Sequence, residues 1–345
     1  GAYHERRAAL ASGNDRGGER TPQPASPPHP RDGGVTTHLA IVGSTATGKT
    51  DLALAVARRL GDVEIVSLDA MQVYRGMDIG TAKSTPGELA EIPHHLVDVA
   101  EPNEEWSVQR TQQGARAAIA DIAARGKRAL LVGGTGLYVH AVVDDLQIPG
   151  GDDDTRAALL AATETPEGLS AAYARLVARD PAAAARIEPG NRRRIVRALE
   201  VLDVTGRPFS SFGPGVSAFG PPVIPLLLVG IWRTRADLAV RINRRVASMR
   251  SAGLDAEVAA LERRGLSRTA AQAIGYKELL GGPTDLVAAY DEIVRRTRKF
   301  ARRQRVWFRR DPRITWIAAD HDQNADAMVD ALLALWFADR QPATP

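Results

Sequence analysis

The sequence predicts an α/β fold: a P-loop parallel sheet flanked by helices, with an inserted all-helical domain and a helical C-terminal region. Three observations carry this. Short apolar strands alternate with amphipathic helices from Thr37 to Val143. The first strand, "THLAIVG", runs directly into a glycine-rich turn and a helix. A purely helical block from Asp152 to about Thr205 is followed by a return to strand, "IPLLLVGIW", which marks the block as an insertion. Strand–helix alternation is what a parallel sheet requires, because each crossover must carry the chain back to the same edge.

The elements follow in order. "THLAIVG" breaks at Gly43, and Asp51 to Leu60 places Leu52, Val56 and Leu60 on one helical face. "VEIVSL" is a second buried-type strand, with Asp69 at its tip. Ser107 caps a helix whose Ala115, Ile119 and Ile122 share a face and which Gly126 stops. "RALLVGG" is a third strand, followed by the helical "TGLYVHAVV". The insertion reads as "DDTRAALLAA", "GLSAAYARLVARD", "DPAAAARI" with Pro181 in a first turn, and "NRRRIVRALEVLDVTG". "GRPFSSFGPGVSAFGPP" ends it. After "IPLLLVGIW" come further helices, one spanning Thr284 to about Arg310, then "RITWIAA" and a last amphipathic helix. Residues 1–36, rich in Pro, Gly and charge without apolar periodicity, read as a disordered leader. The expected domains are residues 37–147 with 223–340 for the P-loop core and C-terminal helices, and 148–222 for the insertion.

A chain of 345 residues, 44% apolar and 25% charged, has the composition of a soluble globular protein with a sizeable core. No apolar run approaches the roughly 20 residues of a membrane span. The absence of Cys excludes disulfides, thiol nucleophiles and Cys-based zinc sites, and fits a reducing cytosol. Net charge is only +4, but its make-up is uneven: five of the 45 basic residues are Lys and the rest Arg. GC-rich codon bias explains an Arg excess; a phosphate partner explains it too, since Arg forks onto phosphate oxygens. Clustering separates the two.

"GSTATGKT" (Gly43, Ser44, Thr45, Ala46, Thr47, Gly48, Lys49, Thr50) fits G-x-x-x-x-G-K-[ST] in strand–loop–helix context. The glycines let backbone N–H groups turn onto phosphate oxygens, the helix N-terminus adds partial positive charge, and Lys49 adds a full one. Thr50 offers a hydroxyl to Mg²⁺. A nucleotide hydrolase would also need a second acid at another strand end. The third strand instead ends in Gly133, Gly134 and Thr135, and the one strand-end acid is Asp69. That acid serves either a metal or as a base towards something held beside the phosphates.

Seven segments occur in order: "GSTATGKT", "SLDAMQVYRGMDIGTAK", "PHHLVDV", "LLVGGTGLY", "RIEPGNRRRIVRALEV", "QAIGYKEL" and "TRKFARRQRVWFRR". Together they resemble the tRNA dimethylallyltransferases, also called tRNA isopentenyltransferases, from about His38 to Trp316. "MQVYRGMDIGTAK" is the most specific of them. Ala70 stands where many members have Ser, and Ser84 where many have Pro. Eukaryotic members append a zinc finger, which a Cys-free chain lacks.

The resemblance implies that the loop grips the diphosphate of dimethylallyl diphosphate, with Mg²⁺ near Thr50. The acceptor is then the exocyclic amine of the adenine 3′ of the anticodon, and pyrophosphate leaves. By the same resemblance Asp69 takes the amine proton, with a turn-capping acid as the plainer reading. Lys49 stabilises the departing charge. Thr135 lies near the amine and diphosphate, against a plain Gly-Gly turn. Arg245 points at the diphosphate, although Arg241 and Arg244 leave the register open and a solvated helix face is the alternative. Asp69, Ala70, Met71 and Gln72 meet a flipped adenine and its neighbours. Arg193, Arg194, Ile195, Val196 and Arg197 meet the tRNA anticodon stem-loop.

The segment Asp291 to Arg310 carries nine basic residues against two acidic ones, the footprint of a polyanion partner and not of scattered codon bias. Phe300, Trp307 and Phe308 within it read first as core anchors and second as a stacking platform. The enzyme is expected to be a cytoplasmic monomer. Three rivals share parts of the pattern: a small-molecule kinase, an adenylate isopentenyltransferase acting on free nucleotide, and a non-catalytic RNA-binding switch. The first two leave the basic helices without a role.

Overall fold

The computed structural model describes residues 38–213, 215–319 and 325–338; the leader expected at 1–36 lies outside them. Six parallel strands form one sheet, β1 (His38–Val42), β2 (Val63–Ser67), β3 (His94–His95), β4 (Arg128–Gly133), β5 (Leu226–Trp232) and β6 (Thr315–Ala318), in spatial order β3-β2-β4-β1-β5-β6. All residues of β1 and β2 are buried, as expected of central parallel strands covered on both faces.

One face is covered by α1 (Lys49–Leu60) and the C-terminal Ala325–Phe337 helix, where Leu52 and Val56 meet Leu332 and Trp336. α1 ends at Gly61, which adopts φ 72° and donates its N–H to Ala57, a turn that only glycine enters without strain. Of the remaining elements before the insertion, α2 (Pro86–Glu91) carries a capping box from Thr85 and Glu88. α3 (Val108–Ala124) is capped by Ser107, buries Ala115, Ile119 and Ile122, and packs with α4 (Gly136–Val143) on the opposite face.

The insertion comprises α5 (Asp153–Ala162), α6 (Pro166–Arg179), α7 (Pro181–Ala184) and α8 (Arg192–Thr205). These helices share a separate apolar core containing Leu159, Leu176, Ile195 and Leu199. The chain returns to the sheet where the Val223 N–H donates to Val143 and where Arg313 donates to the Gly220 carbonyl, 2.7 Å away.

Four helices follow β5: α9 (Arg235–Ser251), α10 (Leu254–Arg264), α11 (Tyr276–Leu279) and α12 (Leu286–Phe308). β6 and α13 (Ala325–Phe337) complete the order. α12, capped by Asp285, begins two residues later than the sequence pattern places it and buries a stripe of Ile293, Ala301, Gln304 and Phe308 against α9 and α4. The sequence reading omitted α2 and β3, because six- and two-residue elements carry too few apolar positions to show a period.

Candidate active site

Three strand ends meet at the carboxyl edge of the sheet. β4 lies between β1 and β2, with Val42 opposite Gly133 and Ser67 opposite Val132. The loop after β1, Asp69 after β2 and Thr135 after β4 are therefore neighbours. Close approach is possible because β4 ends in glycines: a Cβ on Gly133 would sit 2.8 Å from the Leu68 side chain, and one on Gly134 would sit 2.6 Å from Nε2 of Gln304.

The loop Gly43–Thr50 has the backbone its composition requires. Gly43 and Gly48 adopt φ 144° and 92°, and Ala46 accepts a left-handed φ of 64° between them. Two of its carbonyls are held outward by arginines. Arg241 Nε donates to the Ala46 oxygen at 2.7 Å, and Arg233 Nε to the Thr47 oxygen at 2.9 Å. Carbonyls held in this way leave a loop's remaining N–H groups available to an anion. Thr47 Oγ1 donates to the Ser44 carbonyl, as does Lys49 Nζ at 2.7 Å. Ser44 Oγ is buried without a hydrogen-bond partner. Thr50, in the first turn of α1, makes no hydrogen bond with its hydroxyl to any described residue.

Arg245 donates from Nη1 to Thr45 Oγ1 and from Nη2 to the Thr81 carbonyl, both at 3.3 Å. It bridges the phosphate loop and the segment after β2. Burial pushes its guanidinium pKa down, while Asp69 and Asp51 oppose that shift. Arg241 and Arg245, four residues apart, share the face towards the loop, and Arg244 is exposed.

Lys49 is drawn down to about 7, first by burial and then by the Arg245 charge, with Asp69 acting the other way. Asp69, Lys49 and Arg245 thus lie within electrostatic reach of one another. One carboxylate oxygen of Asp69 accepts the N–H groups of Met71 (2.8 Å) and Gln72 (3.3 Å), capping the next turn. The capping reading of this acid holds, and it occupies one oxygen only. Ala70 and Met71 are half-buried beside it. Gln72 accepts from Ser67 Oγ and reaches the Thr81 and Ala82 carbonyls, so its amide is engaged within the segment. Thr135 precedes α4 without a side-chain cap bond, half-exposed at the shared edge.

"MQVYRGMDIGTAK" owes its shape to ties that sequence reading did not assign. Lys83, with a side chain 2% exposed, donates to the Tyr74 carbonyl, Asp78 and Asp98. Glu257 of α10 accepts the backbone N–H groups of Asp78, Ile79 and Gly80 and the Tyr276 hydroxyl. The Tyr276 ring lies flush on Gly80, where any Cβ would overlap it. "QAIGYKEL" therefore supports the segment after β2.

The basic stretch divides. Arg193 and Arg194 are exposed at the start of α8. Ile195 and Val196 are 0% and 3% exposed in the insertion's core, which corrects the expectation that their side chains meet RNA: the helical period turns them inward. Arg197 is also committed, to the Pro149 and Gly150 carbonyls and to the buried Glu200. On α12, Arg295, Arg298, Lys299, Arg302 and Arg303 are exposed, as are Arg309 and Arg310 in the turn that follows it. Phe308 is a core residue and Trp307 covers Gly136, in line with their reading as anchors.

Fold and site together define a P-loop α/β protein with a carboxylate, Asp69, at the same sheet edge as the loop, and with exposed arginines on α8 and α12. Residues 72–311 match the family described as IPP transferase, and residues 36–99 the one described as isopentenyl transferase. A tRNA dimethylallyltransferase of Kineococcus radiotolerans is 50% identical over 291 residues, 81% of this chain and 90% of that protein. One from Salinispora arenicola is 48% identical over 88% of each chain. The solved tRNA isopentenylpyrophosphate transferase of Bacillus halodurans superposes with TM-score 0.62 at 39% identity, covering 88% of this chain and 98% of that one. A eukaryotic dimethylallyltransferase solved acting on tRNA gives 0.71 at 25% identity, over 89% and 81%. The chain belongs to the tRNA dimethylallyltransferase family.

Proposed function

We propose that the protein transfers the dimethylallyl group from dimethylallyl diphosphate to the exocyclic amine of the adenine 3′ of the anticodon in tRNA. The observation that carries this is the placement of Asp69, after β2, at the same sheet edge as the phosphate loop after β1, with Arg245 bridging from Thr45 of the loop to Thr81 of the segment that Asp69 opens. The amine nitrogen forms its bond to the allylic carbon as the carbon–oxygen bond breaks. Pyrophosphate departs with the electron pair, and the amine proton passes to the carboxylate oxygen of Asp69 nearest the amine, a transfer typically worth about 10²–10⁴-fold. Lys49, Arg245 and the loop N–H groups stabilise the departing charge.

Mg²⁺ belongs to the same proposal. No group of three or more His or acidic side chains suited to a metal occurs among the described residues. The Thr50 hydroxyl at the head of α1 would serve as a protein ligand, which suits an ion held mainly by diphosphate oxygens and water. When bound, the ion neutralises charge on the leaving diphosphate. A monomeric state and a cytoplasmic location complete the proposal. The Cys-free composition supports the latter, and light scattering on the purified protein tests the former.

Labelled dimethylallyl diphosphate offered with tRNA, AMP and ATP in turn tests the reading. Label is expected in tRNA alone. Preferential transfer to AMP or ATP would favour the free-nucleotide enzyme, and phosphate transfer from ATP to a small molecule the kinase.

A further inference from the structure

Gln304 lies on the buried stripe of α12, 7% exposed, in a segment otherwise dominated by Arg. Its Oε1 accepts the Thr45 N–H at 2.8 Å, and its Nε2 donates to the Gly134 carbonyl at 2.7 Å. The first partner is only a donor and the second only an acceptor, so the amide has one orientation that satisfies both. One side chain thus fastens the phosphate loop after β1 to the glycine corner after β4 that carries Thr135. Gly134 is built for this contact, since a Cβ there would meet Nε2. Thr45 is held twice, by Gln304 through its backbone and by Arg245 through its hydroxyl.

We infer that Gln304 is a positioning residue of the transfer reaction. It sets the separation between the diphosphate held by the loop and the acceptor amine held near Thr135, and it does so from the helix whose outer face, at Arg302 and Arg303, is exposed beside it. The inference rests on the transferase reading. Other side chains of the right length fail for definable reasons. Glu retains the acceptor for Thr45 but sets an oxygen against the Gly134 carbonyl, and Met keeps the length while losing both bonds.

The test uses the full-length protein and its Gln304→Glu and Gln304→Met variants. It measures pyrophosphate affinity by calorimetry, steady-state transfer to tRNA, and melting temperature. Both variants are expected to bind pyrophosphate about tenfold more weakly, since the Glu variant loses the bond to Gly134 and sets an oxygen against its carbonyl, while the Met variant loses both bonds. Turnover should fall by about 10²-fold, the cost of misplacing reacting groups by about 1 Å, with the KM for tRNA within about twofold of the parent. Unchanged pyrophosphate affinity and turnover, or losses confined to melting temperature or to the KM for tRNA, would overturn the inference while leaving the transferase reading intact. A parent protein that transfers nothing to tRNA would overturn both.

Discussion

The ammonium of Lys49, the first residue of α1, donates to the carbonyl oxygen of Ser44, five residues upstream, folding the one Lys of that helix back over the phosphate loop. Burial and Arg245 bring its pKa to about 7, against the opposing pull of Asp69. A bound diphosphate favours the charged form, so binding above neutrality takes up a proton. Diphosphate affinity should fall by up to about one decade per pH unit above that point, the one-proton limit. Calorimetry near pH 8 in buffers of different ionisation heats should report close to one proton taken up, and Lys49→Met should report none. The same shift has a stability sign. Between about 7 and 10.5 the unfolded chain holds more protons at this site, so stability should rise with pH across that window and the variant should lose the slope. Lys49→Ala is expected to abolish transfer without unfolding the protein.

Asp69→Asn keeps an oxygen to accept the Met71 and Gln72 N–H groups but no longer takes a proton. Turnover should drop by at least about 10²-fold with tRNA affinity little altered. Asp69→Ala should lose the cap as well and weaken tRNA binding. If Asn and Ala prove equally harmful to binding, the acid serves recognition more than proton transfer.

Three arginines on α9 should rank by the face they occupy. Arg245→Ala removes the bridge from Thr45 to Thr81 and a charge beside the diphosphate, and should cost roughly 10²-fold or more in kcat/KM for the prenyl donor. Arg241→Ala releases the Ala46 carbonyl and should cost about tenfold, the scale of one charge-assisted hydrogen bond. Arg244, exposed, should tolerate Ala. Donor titrations of the three variants check the order, and a harmful Arg244→Ala would reverse the assignment.

Removing Arg193 and Arg194 together should weaken tRNA binding and reduce the salt slope by roughly 1–2, as lost phosphate contacts release fewer counterions. Pyrophosphate affinity should not move. Arg197→Ala behaves differently, because it strips a partner from Glu200, which is fully buried, and frees two linker carbonyls. Its expected signature is a lower melting temperature. Affinity measured at several salt concentrations separates the two, and an unchanged slope in the Arg193/Arg194 variant removes these residues from the RNA interface.

Elements whose physics is local can be read from the order of residues. The β1–loop–α1 unit was legible because glycines must stand where φ is positive and Lys where the helix begins. The helical insertion was legible from its caps and apolar period, and α12 from its length. Residue roles set by contacts across hundreds of positions were not. Gln304 meets Thr45 259 residues away, and Arg241 meets Ala46 195 residues away. Only the parallel order β2-β4-β1 brings Asp69, Thr135 and the loop to one edge. Whether an arginine in a basic run serves solvent or structure depends on which way the helix turns it. Tertiary packing alone decided that Arg193 faces out while Arg197 closes on the Pro149 and Gly150 carbonyls. Spacing in a sequence encodes the face a residue shares, and the identity of what lies opposite that face exists only once the chain has folded.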